Sequence, residues 1–376
     1  MRKILPGPRE LEAEVDRLTE KGFLSPGYTE AEIERLAGLT WRINALKKEK
    51  KAVIAAHVYQ RAEIIGGVAD FVGDSYRLAK LCARTDARSI VFCGVRFMAE
   101  TAKLLNPGKE VLLPAPEAGC SLADSITGED VRRLKAAHPG APVVSYINTT
   151  VEVKAESDVI VTSANAPRIV RKLFAQHPKL IFLPDEWMGR NLAKELGKRL
   201  GRDLIIWEGK CVVHENFDPS SVKFYRKAYP GVKVLAHTEC SPSLVAAVDF
   251  AGGTGDMLRF VRETDAPHYM LVTECGLGDL ARAEMPEKKF IPMCRLCPYM
   301  KAIDLQRVLG ALEDPGSAER IEIDGKIAVK ARRSLERMFE LAGESKAEAA
   351  AKTKLVFEFE IRLAKISMDK VETRDA

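Results

Sequence analysis

The sequence predicts an α/β protein built from three pseudo-symmetric α/β/α sandwich units, with helical extensions at its N- and C-termini. Three observations carry that expectation. Short apolar, β-branched runs alternate with amphipathic stretches from residue 51 onward, the pattern of parallel sheets covered by helices on both faces. Polar residues at the carboxyl ends of the predicted strands recur about every 90 residues. Cysteines recur at the same interval, each shortly after the last strand of its group.

Residues 1–45 are strongly charged, and Leu11, Val15, Leu18, Ile33, Leu36 and Leu39 fall at helical spacing, so they read as a helical extension. Residues 46–117 form the first unit, with strands expected over 52–58, 89–95 and 110–115. Helices from 300–343 would complete it. Residues 118–208 form the second, with strands over 142–148, 159–163, 180–184 and 203–209. Residues 209–298 form the third, with strands over 233–237, 268–274 and 289–293. After residue 300 the chain reads helical, and 344–376 reads as an appended amphipathic helix. The alternative is one large doubly wound domain whose loop residues are unrelated.

The 376 residues carry 58 basic and 53 acidic side chains, a net charge of +5 with the signs interspersed. No basic block argues for nucleic acid, and no apolar run is long enough for a membrane span. The N-terminus lacks the apolar stretch of a secretory signal. A cytoplasmic protein with reduced thiols is expected, rather than a disulfide framework.

Three series give the repeat its content. His57, Tyr146 and His237 end strands at offsets of 89 and 91 residues, followed by Tyr59, Asn148 and Glu239. Ser75, Ser163 and Thr254 follow at offsets of 88 and 91, at strand-to-helix junctions where a hydroxyl either caps a helix or helps bind an anion. Cys120, Cys211 and Cys297 have offsets of 91 and 86. If the three carboxyl edges converge, the thiols meet at one centre.

Cys294-Arg-Leu-Cys297 alone fits a zinc half-site, a redox pair or a cluster fragment. Three thiolates from three units suit an iron–sulfur cluster, which would leave one iron open to act as a Lewis acid. Cys297 precedes Pro298 and a helical stretch, a favourable place for a thiolate. Cys294 is then a spare thiol, able to pair with Cys297 when no cluster is bound. Cys82 and Cys93 read as core, and Cys240 and Cys275 as structural residues near strand ends. His214, three residues after Cys211, belongs to the same loop, whereas His138 and His177 read as surface residues.

The strings AHVYQRAEIIGGVADFVGDS, CGVRFMAETAKLLNP, AGCSLAD, SYINTTVEVKAESD, WEGKCVVH, AHTEC and CRLCPYMK together resemble the quinolinate synthase family. They span roughly residues 45–305. The resemblance implies three related α/β/α domains around a central [4Fe–4S] cluster held by Cys120, Cys211 and Cys297, with one open iron. It implies a transferase that condenses iminoaspartate with dihydroxyacetone phosphate to quinolinate, losing phosphate and water, in NAD biosynthesis. An enzyme that oxidises or dehydrogenates L-aspartate would supply the iminoaspartate. Carried over by motif, Tyr59, Tyr146, Glu239 and His214 would be catalytic. His57, Ser75, Asn148, Ser163, His237 and Thr254 would bind substrate. The chain departs from the family pattern at Gly253, where Ser is common, at Thr238 in place of Pro, and at Val58 in place of Asn.

Overall fold

The computed structural model of the chain describes residues 5–23, 27–82 and 84–343. The helix expected over 344–376 lies outside them. Two helices, Pro8–Glu20 and Glu30–Glu49, precede the first strand. The first sheet holds β1 (Ala52–His57), β2 (Phe71–Gly73), β3 (Ser89–Cys93) and β4 (Glu110–Leu113). The second holds β5 (Val143–Tyr146), β6 (Val159–Val161), β7 (Leu180–Leu183) and β8 (Leu204–Ile206). The third holds β9 (Lys233–His237), β10 (Phe250–Gly252), β11 (Tyr269–Glu274) and β12 (Phe290–Ile291), with β13 (Cys294–Arg295) beside β11.

Within each sheet the second strand lies at the edge, next to the first, and the third and fourth follow: β2-β1-β3-β4, β6-β5-β7-β8 and β10-β9-β11-β12. All these pairings are parallel. One topology drawn three times gives the 90-residue interval its structural basis. Strands such as Ala52–His57 and Val143–Tyr146 are buried on both faces, which explains their near-continuous apolar sequences.

Four local expectations change. β2 and β10 were not expected; each is a three-residue edge strand that ends in glycine. The strand expected over 289–293 is only the two residues of β12, and an unexpected short strand, β13, follows Pro292 and Met293. The continuous helix expected after Pro298 breaks into Pro298–Lys301 and Leu305–Glu313, because the Asp304 side chain accepts from the Arg307 N–H and caps a new start. The chain beyond is not purely helical either, since β14 (Glu319–Arg320) pairs antiparallel with β4. The helix Leu305–Glu313 lies on the first sheet and on helix Glu30–Glu49, whereas the last described helix, Gly325–Leu341, lies chiefly against helix Val151–Glu156 and β6 of the second sheet. Among the described residues no helix is long and apolar enough to cross a membrane.

Candidate active site

The three sheets turn their carboxyl ends toward one cavity of about 710 Å³, counting the part open to solvent. His57, Tyr146 and His237 are the last residues of β1, β5 and β9, in register with the last residues of the edge strands, Gly73, Val161 and Gly252. All thirteen residues singled out in the sequence line this cavity: His57, Tyr59, Ser75, Cys120, Tyr146, Asn148, Ser163, Cys211, His214, His237, Glu239, Thr254 and Cys297. Ser75 and Thr254 are the first residues of helices, so those helix N-termini sit at the cavity. Among the described residues, the lining contains no lysine or arginine. Anions would therefore be held by helix ends, hydroxyls, amides and imidazoles.

The two histidines are set by one local device. The Tyr59 N–H donates to His57 Nδ1 at 3.2 Å, and the Glu239 N–H donates to His237 Nδ1 at 3.3 Å. Each ring therefore keeps its proton on Nε2, turned away from its own backbone. Burial, with the neighbouring His237, pushes His57 down to about 3. Burial likewise pushes His237 down to about 4, against the pull of Glu239. Both are neutral donors at physiological pH.

Those shifts have a consequence for stability. Below the ordinary histidine value of 6.5 the unfolded chain takes up protons that the folded one refuses, so stability falls as pH falls through that window. Each ring contributes on the order of 2 kcal/mol to that loss between about pH 6.5 and 4.5. The double variant His57→Gln/His237→Gln should therefore lose less stability over that interval than the parent, measured by urea midpoints on cluster-free protein. Parallel curves would show that the rings are not buried neutral.

Glu239 is the hub of the polar network. The Tyr146 hydroxyl donates to its Oε1 at 2.6 Å, and its Oε2 lies 3.0 Å from His214 Nδ1. Burial alone would raise this carboxyl, but His237 and His214, with the hydrogen bonds from His214 and Tyr146, outweigh it and hold the group well below the usual carboxylate range. Burial and the Glu239 charge push Tyr59 and Tyr146 well up, so both remain protonated phenols. The His214 and His237 rings stack at 4.8 Å.

Cys120, Cys211 and Cys297 are free thiols on three separate loops. Burial pushes Cys120 up to about 12 and raises Cys211 and Cys297 as well, so metal must displace their protons. The loops are tied together. The Ser121 hydroxyl donates to Lys210 O and accepts from Val212 N–H, on either side of Cys211. The Cys297 N–H donates to Glu274 Oε1 at 3.2 Å. Among the described residues, Cys211, His214 and Glu239 bring three donor atoms within 4.8 Å of one another, and Cys120 and Cys297 do not join that group. Cys120, Cys211 and Cys297 line the same cavity.

One expectation about the cysteines is overturned. Cys294 is disulfide-bonded, and its partner is Cys275, not Cys297. The reason is the register of β13 against β11, which pairs Thr273 with Cys294 and so brings Cys275 alongside. Cys82, Cys93 and Cys240 are buried, as expected of core thiols.

A family model described as "quinolinate synthetase A protein" matches residues 41–340. The chain belongs to that family. A quinolinate synthase of Xylella fastidiosa (strain Temecula1) is 50% identical over 293 residues, 78% of this chain and 84% of that one. Quinolinate synthase 2 of Mesorhizobium japonicum is 48% identical over the same length, 78% of this chain and 88% of its own. A quinolinate synthase of Caulobacter vibrioides is 42% identical over 334 residues, 88% and 89% of the two chains. Membership makes this chain an enzyme of that class.

Family motifs leave several supporting side chains unremarked, and these hold the turns that carry the polar residues. Lys154 Nζ donates to the carbonyls of Ile147, at 3.0 Å, and Thr149, either side of Asn148. Asn191 Nδ2 donates to the carbonyls of Thr238 (3.0 Å) and Cys240 (2.9 Å), either side of Glu239. Lys301 Nζ donates to Tyr59 O at 2.5 Å and pairs with the buried Glu274 at 3.1 Å. A Cβ at Gly276 would lie 2.9 Å from the Tyr59 backbone, so the helix starting at Cys275 approaches Tyr59 closely only because that residue is glycine.

The departure at Gly253 also has a structural context. A Cβ there would fall 2.6 Å from Ser163 Oγ, so Ser163 occupies the space a serine side chain would need. Gly253→Ser should rotate Ser163 away and raise the substrate KM by about 3- to 10-fold, the equivalent of one weakened hydrogen bond. An unchanged KM would mean that Ser163 makes no contact with substrate.

Proposed function

We propose that this chain condenses iminoaspartate with dihydroxyacetone phosphate to quinolinate, releasing phosphate and water, with a [4Fe–4S] cluster held by Cys120, Cys211 and Cys297. The supporting observation is that three free thiols, the hydroxyl, amide and imidazole groups and the Glu239 carboxylate line one cavity. When bound, the cluster's unligated iron supplies Lewis acidity toward a substrate oxygen.

The remaining work falls to side chains. The Nε2–H groups of His57 and His237 and the amide of Asn148 hold the carboxylates of the imine substrate. The hydroxyls of Ser75, Ser163 and Thr254, with the helix N-termini at Ser75 and Thr254, hold the phosphate ester. Carbon–carbon bond formation, phosphate loss, ring closure and dehydration each need protons taken and returned. Glu239 serves as base, with Tyr146 as the acid that donates to it, and Tyr59 and His214 complete the set. A cavity lined largely by buried side chains limits the water that could hydrolyse the imine.

Anaerobically purified protein should carry about four irons and four sulfides per chain. Supplied with both substrates, it should release one phosphate for each quinolinate formed. Iron-loaded protein that forms no quinolinate, or turnover without phosphate release, would overturn the assigned reaction. A colourless, zinc-loaded protein prepared without oxygen would overturn the cofactor.

A further inference from the structure

Resting on that reading, we infer that Lys154 is a positioning residue of the reaction: its buried ammonium grips the chain on both sides of Asn148 and sets that residue's amide for the carboxylate of the imine substrate. Lys154 lies on helix Val151–Glu156 and is fully buried. Its Nζ donates to Ile147 O at 3.0 Å and to Thr149 O. Nζ also lies 5.3 Å from the centre of the Phe97 ring. Phe97, Ile147 and Asn148 line the central cavity, and Lys154 itself does not. The ammonium thus acts from behind the wall.

Residues 147–149 lie between β5 and that helix, outside both. The flanks of this turn are anchored by other units. Glu100, on helix Arg96–Leu105 of the first unit, accepts from the Val151 N–H at 3.0 Å. The Ser334 hydroxyl, on the last described helix, donates to Lys154 O at 2.9 Å. The turn itself is held by the Lys154 fork, whose charge-assisted bonds are stronger than those a neutral donor would make. Rotating the Ile147–Asn148 peptide would break one of them. Such a fork is costly. Burial works against the ammonium, and the Glu100 charge offsets that only in part. Carbonyls that merely needed a partner could have taken a backbone N–H or water with no charge to desolvate. Asn148 serves the imine substrate, whereas Ser75, Ser163 and Thr254, on other loops, serve the phosphate ester. Lys154 should therefore matter to one substrate and not to the other.

A lysine that only holds the fold would, when lost, damage both substrate sites and the cluster together. Lys154→Met keeps the apolar stem and removes the fork. Its KM for iminoaspartate should rise about 10- to 100-fold, the binding equivalent of one charge-assisted hydrogen bond. KM for dihydroxyacetone phosphate should stay within about threefold, and iron and sulfide content should be unchanged. Lys154→Gln keeps a neutral donor and should shift the same KM by a smaller factor, about 3- to 10-fold; it carries the test if Lys154→Met does not fold. The double variant Asn148→Ala/Lys154→Met should bind iminoaspartate no more weakly than Asn148→Ala alone, within about threefold, because the lysine acts through that amide. An unchanged KM for iminoaspartate, equal rises in both KM values, or losses that multiply in the double variant would each overturn the inference. So would failure of both Lys154 variants to fold with iron, which would assign the residue to the fold. A readout without turnover is equilibrium dialysis of quinolinate, itself a dicarboxylate, against iron-loaded protein. Its Kd should rise about 10- to 100-fold in Lys154→Met. A parent that binds quinolinate and a variant that binds it equally well would overturn the inference alone. A parent that binds none would overturn the assigned reaction, and the inference with it.

Discussion

Glu239→Gln is expected to lower quinolinate formation by about 10²–10⁴-fold, the range for loss of a general acid–base group, while the protein keeps its iron. The carboxylate is buried and receives two donors, the Tyr146 hydroxyl at 2.6 Å and His214 Nδ1 at 3.0 Å. Glutamine has the same shape but offers only one acceptor oxygen. Its NH₂ must face one of those two partners, so the Tyr146 hydroxyl has to turn from donor to acceptor or the His214 bond is lost. The negative charge that makes the group a base is also gone. Stability should change far less, because glutamine has no charge to desolvate and that gain offsets part of the lost bonding. Tyr146→Phe removes the other half of the pair and should cost about 10–10³-fold in turnover with a similarly small change in unfolding free energy. Both variants need rate, iron content and denaturation midpoint measured together. Losses of rate that merely track losses of stability would assign the pair to packing, and parental turnover in both would remove them from the mechanism.

The fold and the cavity lining were legible because the chemistry recurs with the topology. Each unit begins with a strand whose last residue, His57, Tyr146 or His237, faces the common centre. Three copies of one strand order turn a spatial relation into a sequence interval. What had no counterpart in the other units stayed hidden. Thr273 and Glu274 end β11 just as His57 ends β1, so polar residues at a strand's carboxyl end were visible there too. The 90-residue interval passed over them, since no matched pair stands in the other two units. Asn191 and Lys301 lie on helices remote in sequence from the turns they clamp, and only tertiary contact brings them there; Lys154 follows its turn closely but reads in sequence as an ordinary helix lysine. The Cys275–Cys294 bond depends on a two-residue strand, β13, too short to show any periodicity.

The Cys-x-x-Cys pair should divide cleanly. Cys297→Ser is expected to abolish cluster assembly and activity, whereas Cys294→Ala keeps both under anaerobic conditions. Cys297 is the N-cap residue of helix Pro298–Lys301, so the start of that helix lies beside its sulfur. Its backbone N–H is fixed by Glu274, which Lys301 neutralises. A serine in that place keeps the backbone but offers a hydroxyl that binds iron far less well than a thiolate. Cys294 contributes nothing of this kind: its residue is exposed, it does not line the cavity, and its sulfur is joined to Cys275. Losing that bond loosens β13 by one link, but the pairing of β13 with β11 and the Glu274–Cys297 contact remain. Cys275→Ala should behave as Cys294→Ala does, because each removes the same bond. The measurement is iron and sulfide per chain and quinolinate formed, for the three variants reconstituted side by side. Cluster retained in Cys297→Ser and lost in Cys294→Ala would place the third ligand three residues earlier. Cluster lost in both alanine variants would show instead that the disulfide holds the Cys297 loop in a shape the cluster requires.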